Sequence, residues 1–367
     1  MIKAFRDRGH APRSWGFILL LGAWLLGAPP GAALDLPLVT VTASPWEEAS
    51  RATPGTVTVL RPEESEGEGK TLGDLLEQSA GVHVIRVEGR GGYVVASIRG
   101  STGAQVAVYV DGVLMNLGGE GAVNLATIPA DTVERIEVYR GFVPGLFGAS
   151  GLGAVISVHT RRPRGFEGAA AVELEDFGTW KTSLRYGNDL GSGRYFAAVT
   201  LGGTAGDFPY HNDHGTFWNL TDDYEARRRN NGARDRNVLF AWEDRSWRLR
   251  GEYLDQHREI PRRAPGNDRP GDPPGPELDT VRTSLGIGQE FSGERSWGWQ
   301  AQVLRQDKEF FDPRDPRTLP TPQATWNHHR TERFSLSAHC TQPLGGGSLT
   351  FAGEAFWESL RVEGDMV

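Results

Sequence analysis

The side chains that could bind a metal ion are concentrated in one predicted long loop, near residues 206–234. Five of them lie within a span of thirteen residues: His211, Asp213, His214, Asp222 and Asp223. Carboxylate and carbonyl oxygens are the ligands that Ca²⁺ prefers, which makes Asp213, Asp222 and Asp223 candidate calcium ligands. Their spacing matches no diagnostic calcium loop, and a hydrated polar loop is the favoured interpretation. We therefore predict no metal site.

No arrangement typical of an enzyme is recognisable elsewhere in the sequence. There is no nucleophile elbow, phosphate-binding loop or pair of catalytic carboxylates. The single cysteine, Cys340, excludes an intrachain disulfide and a cysteine-based metal site. A net charge of −8 argues against a nucleic-acid partner, because such a partner usually requires a basic surface. The sequence thus predicts a protein that is not an enzyme, has no cofactor and binds no nucleic acid.

Beyond residue 163 the chain is built from segments with one apolar and one polar side. Trp180 and Leu184, for example, alternate with Lys181 and Arg185. The same alternation recurs further along, with Trp247, Leu249 and Tyr253 against Arg248, Arg250 and Glu252, and with Phe334, Leu336, Ala338 and Cys340 against Ser335, Ser337 and His339. Because successive side chains of a strand point to opposite faces, each segment predicts a strand with one apolar face and one polar face.

The lengths of the connections distinguish a membrane barrel from a soluble sheet. We expect nine strands, near 168–175, 180–189, 194–205, 235–243, 246–256, 279–291, 296–307, 328–340 and 348–359. After the first hairpin their joins alternate between tight turns and long loops. Up-and-down strands with short turns at one end and long loops at the other are typical of outer-membrane barrels. The alternative, a soluble β-protein, leaves the one-sided long loops unexplained.

The start of the chain is typical of a secretion signal. Lys3, Arg6 and other basic residues precede an apolar run from Trp15 to Gly27, and small residues lead to Ala33. This run is shorter than the roughly 20 residues that a membrane-spanning helix needs. We predict a signal peptide that is cleaved after Ala33.

Residues 56–163 predict a small α+β domain. Val57 and Val59 alternate like a strand, and further strands are predicted at 82–87, 93–98 and 106–110 and around Ile136 and Val155. Thr71, with Asp74 three residues later, predicts the start of a helix, and Gly81 its end. Asp111-Gly112 predicts a tight hairpin turn.

Several short motifs in this domain follow one another in a characteristic order. They are TLGDLLEQSAGVHV from Thr71, SIRG from Ser97, VAVYVDGV from Val106, IPADTVERIEVYRG from Ile128 and FGASGLGAVI from Phe147. On these motifs the region resembles the plug domain of TonB-dependent outer-membrane receptors, of the siderophore and cobalamin receptor type. The resemblance implies an α+β plug domain that is followed by the antiparallel strands of a transmembrane β-barrel.

The resemblance also implies a contact with the energising protein TonB. Six residues stand where the family keeps its TonB box: Leu38, Val39, Thr40, Val41, Thr42 and Ala43. An extended, β-prone segment on a proline-flanked arm can add a strand to the sheet of a partner. We therefore expect these residues to bind TonB, with ExbB and ExbD acting indirectly.

A second implied site joins the plug to the barrel. In the family, arginines like Arg99 and Arg140 lie in a polar cluster between the plug and the barrel wall, and Glu137 is their acidic counterpart here. Ordinary hydrated strand charges are the alternative. We favour the cluster because a buried charge is stable only when it is paired with an opposite charge.

The chain is expected to divide into a signal peptide (1–33), a TonB-box arm (34–55), a plug domain (56–163) and a partial transmembrane β-barrel (164–367). The family closes a barrel of about 22 strands, whereas only nine are predicted in this chain. We therefore expect a truncated gene product, a fragment or a partial sequence.

The expected location is the outer membrane of a Gram-negative bacterium, in contact with its lipid. The resemblance implies TonB-energised uptake of a scarce metal chelate or cofactor. A ferric siderophore is the first candidate and cobalamin the second, and the sequence does not identify the substrate-binding residues. Two alternatives are a passive porin-like channel, which requires neither plug nor TonB box, and a soluble secreted β-sheet binding protein.

Overall fold

The computed structural model describes residues 56–62, 70–87, 92–141, 143–144, 147, 153–163, 165–213, 216, 218–261, 274–291, 295–315, 323–344 and 347–364. The predicted signal peptide, the TonB-box arm and the TonB box at 38–43 lie outside these residues. Among the described residues, no helix is both long enough and apolar enough to cross a membrane.

The first part of the described chain is an α+β unit. Its elements are strand β1 (Thr56–Leu60), helix α1 (Leu72–Glu77), and strands β2 (Val82–Val87), β3 (Tyr93–Ile98), β4 (Val106–Val110), β5 (Val113–Leu114), β6 (Val133–Arg140) and β7 (Ala154–Thr160). Single 3₁₀ turns occupy Gly103–Gln105, Leu125–Thr127 and Ala130–Thr132. Five strands form one sheet in the order β1-β6-β7-β4-β5, and β2 and β3 form a separate hairpin.

The centre of the five-stranded sheet is buried on both faces. All residues of β4 and β7 are buried, and both strands are rich in valine. These two strands pair in parallel, whereas the other pairs of the sheet are antiparallel. A strand that is covered on both faces has a nearly continuous apolar sequence, which explains why strict alternation is absent here.

Helix α1 begins at Thr71 with a capping box, as predicted. The Thr71 hydroxyl accepts a hydrogen bond from the Asp74 amide at 3.3 Å, and the Asp74 carboxylate accepts one from the Thr71 amide at 2.8 Å. Leu72 and Leu76 are buried on one side of the helix. An added Cβ at Gly73 would lie 3.0 Å from a methyl group of Val94, so a glycine here permits the close approach of α1 to the β2-β3 hairpin.

The predicted tight turn at Asp111-Gly112 is confirmed. Both residues have positive φ angles, 50° and 82°, and they connect Val110 of β4 directly to Val113 of β5. Positive φ at both central positions is the geometry of the type I′ turn that two-residue hairpins prefer. The turn holds the Asp111 side chain at the edge of the domain.

The rest of the described chain is dominated by a nine-stranded antiparallel sheet. In chain order its strands are β8 (Glu167–Glu175), β9 (Thr179–Leu190), β10 (Gly193–Thr204), β13 (Ala233–Glu243), β14 (Trp247–Glu259), β15 (Glu277–Phe291), β16 (Ser296–Asp315), β17 (Gln323–Leu344) and β18 (Gly347–Gly364). Between β10 and β13, strands β11 (Pro209–Asn212) and β12 (Tyr224–Arg227) form a separate hairpin. Each strand pairs with its sequence neighbours in the sheet, and β8 and β18 form the two edges. The nine predicted strands and the incomplete barrel are confirmed, whereas the β11-β12 hairpin was not predicted.

The two faces of this sheet differ in the way that the alternating pattern predicted. On one face, Leu285 and Val303 are 55 % and 51 % exposed. On the other face, Thr280, Gln302 and Arg333 are only 5 to 6 % exposed although their side chains are polar. We call these the outer and inner faces of the wall, and we call the end that carries the long connections the outer end.

Candidate functional site

The inner face of the wall is joined to the plug by polar contacts. Near one edge, the ammonium group of Lys181 on β9 lies 2.7 Å from the carboxylate of Asp131 in the plug. Near the other edge, the Gly118 amide donates a hydrogen bond of 2.7 Å to Glu358 on β18. Between them, Lys308 on β16 forms an ion pair with Glu120 of the plug. The contacts therefore extend across the width of the described wall.

Arg333 on β17 binds the plug through its backbone. The guanidinium donates to the carbonyl oxygen of Leu114 at 3.0 Å and also to that of Asn116. Glu358, on the neighbouring strand, forms an ion pair with the same guanidinium at 2.6 Å. An arginine that is held by a carboxylate on one side can offer its remaining N–H groups to carbonyl oxygens in a fixed geometry.

Asp111 is a plug carboxylate with contacts on both sides of this boundary. It accepts hydrogen bonds from the amide and the hydroxyl of Thr160 at 3.0 and 2.7 Å, and it lies 3.2 Å from Nε of Arg250 and 3.7 Å from Arg162. Burial raises the pKa of the Asp111 carboxyl, but the two guanidinium groups and Thr160 outweigh it and hold the pKa below its usual range. Asp111 is therefore a charged connection between the plug and the wall.

The network continues from Arg250 across the inner face. Glu252 accepts from Arg250 at 3.0 Å and from Arg282 at 3.1 Å. Arg282 in turn donates to the hydroxyl of Thr127 in the plug at 3.4 Å. These wall residues occupy the polar, inward-facing positions of their strands, as the alternating pattern predicts. Their plug partners are more than a hundred residues away in the sequence, and no pattern in the sequence predicts the pairing.

The three residues that were predicted for a plug-wall cluster make their described contacts within the plug. Glu137 accepts from Arg135 at 3.0 Å and lies 3.4 Å from His159. Arg140 donates to the carbonyl oxygen of Ala80 and to the hydroxyl of Thr58. The Arg99 amide donates to the carbonyl oxygen of Gly81 at 3.0 Å. Their role at the boundary with the wall stays a prediction.

The Glu137 carboxyl is buried and ionised in the interior of the plug. Burial raises its pKa, but hydrogen bonds from His159, Tyr139 and Arg135 outweigh that effect and hold the pKa below the usual range. The described contacts of Glu137 thus stabilise the five-stranded sheet itself.

The three candidate calcium ligands do not converge on a shared point in the structure. Asp222 accepts from the hydroxyl of Thr216 at 2.8 Å, and Asp223 pairs with His211 at 3.0 Å. The backbone carbonyl of Asp213 accepts from the Thr216 amide at 2.8 Å. In the part of the chain that the structure describes, no group of three or more His, Cys, Asp or Glu side chains is arranged to hold a metal ion.

At least four cavities lie between the plug and the described part of the wall, and two of them have volumes of about 200 Å³ or more. The larger, about 370 Å³, lies between the start of α1, the plug segment Leu125–Ala130 and the inner face of β9, β10, β13 and β14. The smaller, about 200 Å³, is lined by Tyr93 and Glu120 of the plug and by Arg258 and Lys308 of the wall. Both are bounded by strand residues toward the outer end of the wall.

Known proteins resemble this chain in the sequence of its plug domain and in its fold. Residues 49–155 match the TonB-dependent Receptor Plug Domain family. The vitamin B12 transporter BtuB of Vibrio cholerae is 35 % identical over 124 residues, which are 34 % of this chain and 20 % of the relative. BtuB of Vibrio vulnificus is 33 % identical over 132 residues, which are 36 % of this chain and 22 % of that relative.

Solved structures share the fold at low sequence identity. The ferric enterobactin receptor PfeA of Pseudomonas aeruginosa superimposes with a TM-score of 0.59 at 17 % identity, covering 88 % of this chain and 51 % of the receptor. The copper transporter OprC has a TM-score of 0.63 at 16 % identity, covering 84 % and 47 %. This chain thus spans about half the length of these solved proteins and a fifth of the matched sequence relatives. The plug-domain match, the nine antiparallel strands and these likenesses together support a TonB-dependent receptor of the Gram-negative outer membrane.

Proposed function

We propose that this protein takes part in TonB-energised uptake of a scarce metal chelate or cofactor across the outer membrane. The observation that carries the proposal is the plug, which is bound to the inner face of the wall from β9 to β18. A channel that is blocked by a folded domain needs work to open it. This distinguishes the proposal from passive diffusion through a porin.

The chemistry of the plug-wall boundary suits a plug that must move. The ion pairs Lys181–Asp131 and Lys308–Glu120 are partly exposed, with side-chain exposures between 18 and 29 %. Ion pairs that reach water are individually weak, about 1 kcal/mol or less, because water can replace either partner. The apolar core of the plug, by contrast, consists of side chains of the domain itself, joined by Leu304 of β16. These two ion pairs would therefore separate under a pulling force more easily than the core of the plug.

The proposed source of that force is TonB, with ExbB and ExbD behind it. The segment Leu38–Ala43 would bind TonB by adding a strand to its sheet. The division into signal peptide (1–33), arm (34–55), plug (56–163) and partial barrel (164–367) is part of the same proposal. The outer face of the wall, with exposed residues such as Leu285 and Val303, would contact the membrane lipid.

For the transported solute we propose a ferric siderophore first and cobalamin second. The named activities of the related proteins support both classes, since BtuB is a vitamin B12 transporter and PfeA a ferric enterobactin receptor. The calcium site considered for Asp213, Asp222 and Asp223 is not part of the proposal.

Growth of a Gram-negative host that lacks its own receptors tests the proposal. The host would express this protein and would be supplied with a ferric siderophore or with cobalamin as the limiting nutrient. We expect growth that disappears when Leu38–Ala43 is deleted and when the host lacks TonB. Growth that persists in both backgrounds would instead favour a passive channel.

A further inference from the structure

A short plug segment that follows the β4-β5 turn, residues 114–118, lies between strand β4 and the wall. We call it the bridging segment. Met115 donates its amide to the carbonyl oxygen of Val108 on β4 at 2.8 Å. The carboxamide of Asn116 accepts from the Val108 amide at 2.9 Å and donates to the carbonyl oxygen of Val106 at 3.0 Å. The bridging segment is thereby fixed to the central sheet of the plug.

The other side of the bridging segment is bound by two wall side chains. Arg333 donates to the carbonyl oxygen of Leu114 at 3.0 Å and to that of Asn116, and Glu358 accepts from the Gly118 amide at 2.7 Å. Alternate residues of an extended chain can present their backbone groups to the same side. The two side chains therefore bond this segment much as a neighbouring strand would, and we call Arg333 and Glu358 the wall clamp.

The wall clamp is positioned by the wall itself. Arg333 and Glu358 are register partners on β17 and β18, and their ion pair of 2.6 Å joins side chains that are only 4 % and 13 % exposed. The ring of Phe356 lies 5.0 Å from the guanidinium carbon, within the range of a cation–π contact. A Cβ added at Gly118 would lie 2.8 Å from a carboxylate oxygen of Glu358, so a glycine here permits the close contact.

The wall cations on the β9 to β15 side of the plug each have a second partner on the wall. Lys181 also lies 3.4 Å from Glu173 on β8. Arg250 and Arg282 both pair with Glu252, at 3.0 and 3.1 Å. A wall cation that loses its plug partner on this side is therefore still paired, which avoids the large cost of an unpaired buried charge.

The plug groups on this side are satisfied within the plug or reach water. Asp111 keeps the two hydrogen bonds from Thr160, at 3.0 and 2.7 Å, and the hydroxyl of Thr127 donates to the carbonyl oxygen of Asn124 at 2.8 Å. The Asp131 side chain is 23 % exposed, so water can replace its ion-pair partner. The larger cavity also lies on this side, between the plug and β9, β10, β13 and β14.

We propose that the plug separates from the described wall first beside β9 to β14 and last at the wall clamp. The clamp then acts as the pivot for the plug, and the larger cavity widens into a passage. Release on the β9 side leaves second partners in place, whereas release of the clamp takes the wall partners from three main-chain groups of the bridging segment at once. This inference rests on the proposed function only in taking movement of the plug to be part of uptake.

Distances between spin labels in the purified full chain, in detergent, test the order of separation. In a Cys340→Ser background, one label pair is Glu134→Cys in the plug with Thr182→Cys on β9. The second pair is Gly121→Cys, where an added Cβ meets nothing within 4 Å, with Ser359→Cys on β18. With rising urea we expect the first distance distribution to broaden at a midpoint roughly 1 M below that of the second, the shift expected for a difference of a few hydrogen bonds.

Arg333→Lys tests the wall clamp, because it keeps the positive charge but loses the planar fork that reaches two carbonyl oxygens. We expect the two midpoints to coincide in this variant. Glu358→Gln, a change of similar size, should narrow their difference and provides the same test if Arg333→Lys does not fold. The matched control is Arg305→Lys on the outer face of β16, where the arginine side chain is 50 % exposed and pairs with Asp307. It should keep the parental order.

Broadening at β18 that precedes or accompanies broadening at β9 in the unmodified chain overturns the inference. An unchanged difference between the midpoints in both clamp variants overturns it as well. Because the measurement requires neither TonB nor a solute, a failure of cellular uptake alone would count against the proposed function and not against this order of separation.

Discussion

The carboxylate of Asp111, at the tip of the β4-β5 turn, lies 3.2 Å from the guanidinium Nε of Arg250 on β14. The turn that presents it has two residues in the left-handed region, and Thr160 on β7 holds the same carboxylate from within the plug. A local backbone feature of the plug is thereby tied to the wall. Movement of the plug requires this ion pair to be broken or the turn to be distorted.

We expect Asp111→Asn to destabilise the folded chain by about 2 kcal/mol, because it removes a charged partner from a buried guanidinium. The effect should depend on pH. Since the folded pKa of Asp111 is lowered, its stabilisation is complete above the unfolded pKa of about 4 and is lost as the pH falls through the lower folded value. Urea unfolding between pH 6 and about pH 3 should therefore show a smaller acid dependence in the variant.

The control is Arg236→Gln, which breaks an ion pair at 3.2 Å with Asp255 in which the arginine side chain is 50 % exposed. Exposed pairs contribute little, so this variant should keep the parental acid dependence. If Asp111→Asn also kept it, the pair with Arg250 would have no role in stability.

Removal of the helix cap should destabilise the plug locally. Thr71→Ala deletes the hydroxyl that accepts from the Asp74 amide, and we expect a loss of about 1 kcal/mol in the free energy of unfolding. Urea unfolding that is followed by hydrogen exchange at the amides of α1 measures it. Thr283→Ala, an exposed threonine on the outer-facing parity of β15, should leave those amides unaffected. Equal protection of the α1 amides in both variants would contradict the role of the cap.

Covalent attachment of the plug to the wall should block uptake. In a Cys340→Ser background, the pair Glu120→Cys and Lys308→Cys can be joined by a flexible bis-maleimide, since the native side chains are in contact. We expect the linked protein to bind solute but not to transport it. The Lys308→Cys single variant, treated with the same reagent, should still transport. Full transport by the linked protein would show that the boundary near β16 does not need to open.

The β11-β12 hairpin should respond to pH in the opposite direction from Asp111. His211 lies 3.0 Å from Asp223 and 3.2 Å from Glu225, and hydrogen bonds to these carboxylates raise its pKa. Its stabilising effect is therefore complete below the unfolded pKa of about 6.5 and is lost as the pH rises through the higher folded value. Nuclear magnetic resonance titration of the imidazole should give a pKa that falls toward 6.5, or about that value, in Asp223→Asn. An unchanged imidazole pKa would exclude the ion pair with Asp223 in solution.

The wall could be predicted from the sequence because alternation of polarity is a local property of each strand. The polar parity by itself identifies Lys181 and Arg250 as inward-facing residues. Their partners Asp131 and Asp111 could not be predicted, since nothing in the surrounding sequence records which distant strand will lie opposite. The sequence indicates Asp111 only as a turn residue. Its second role depends on where the turn is placed against β14.

Two further features had no local signal. The short strands β11 and β12 have four residues each, too few for an alternating pattern to emerge from a polar loop. Thr200 and Asn237 are ordinary polar residues on an inward-facing parity, and nothing in the sequence indicates that a side-chain polar atom of each lacks a partner among the described residues. Features that arise from packing between domains are not encoded in the periodicity of either domain.

The separate pairing of β11 with β12 has a mechanical consequence for the outer end of the wall. On one side of this end, β16 and β17 continue as paired strands of 20 and 22 residues, with a register shift between Asp312 and Asp315, so their tips move only together with the sheet. On the other side, β10 ends at Thr204, and the two short stretches that lead to and from the β11-β12 hairpin are joined to each other where the Asn231 side chain donates to the carbonyl oxygen of Gly206 at 2.7 Å. A two-stranded ribbon that is joined to the wall by two short stretches can move as a unit while the sheet below stays rigid. Among the described residues, movement at the outer end without bending of the sheet is therefore expected at the β11-β12 hairpin.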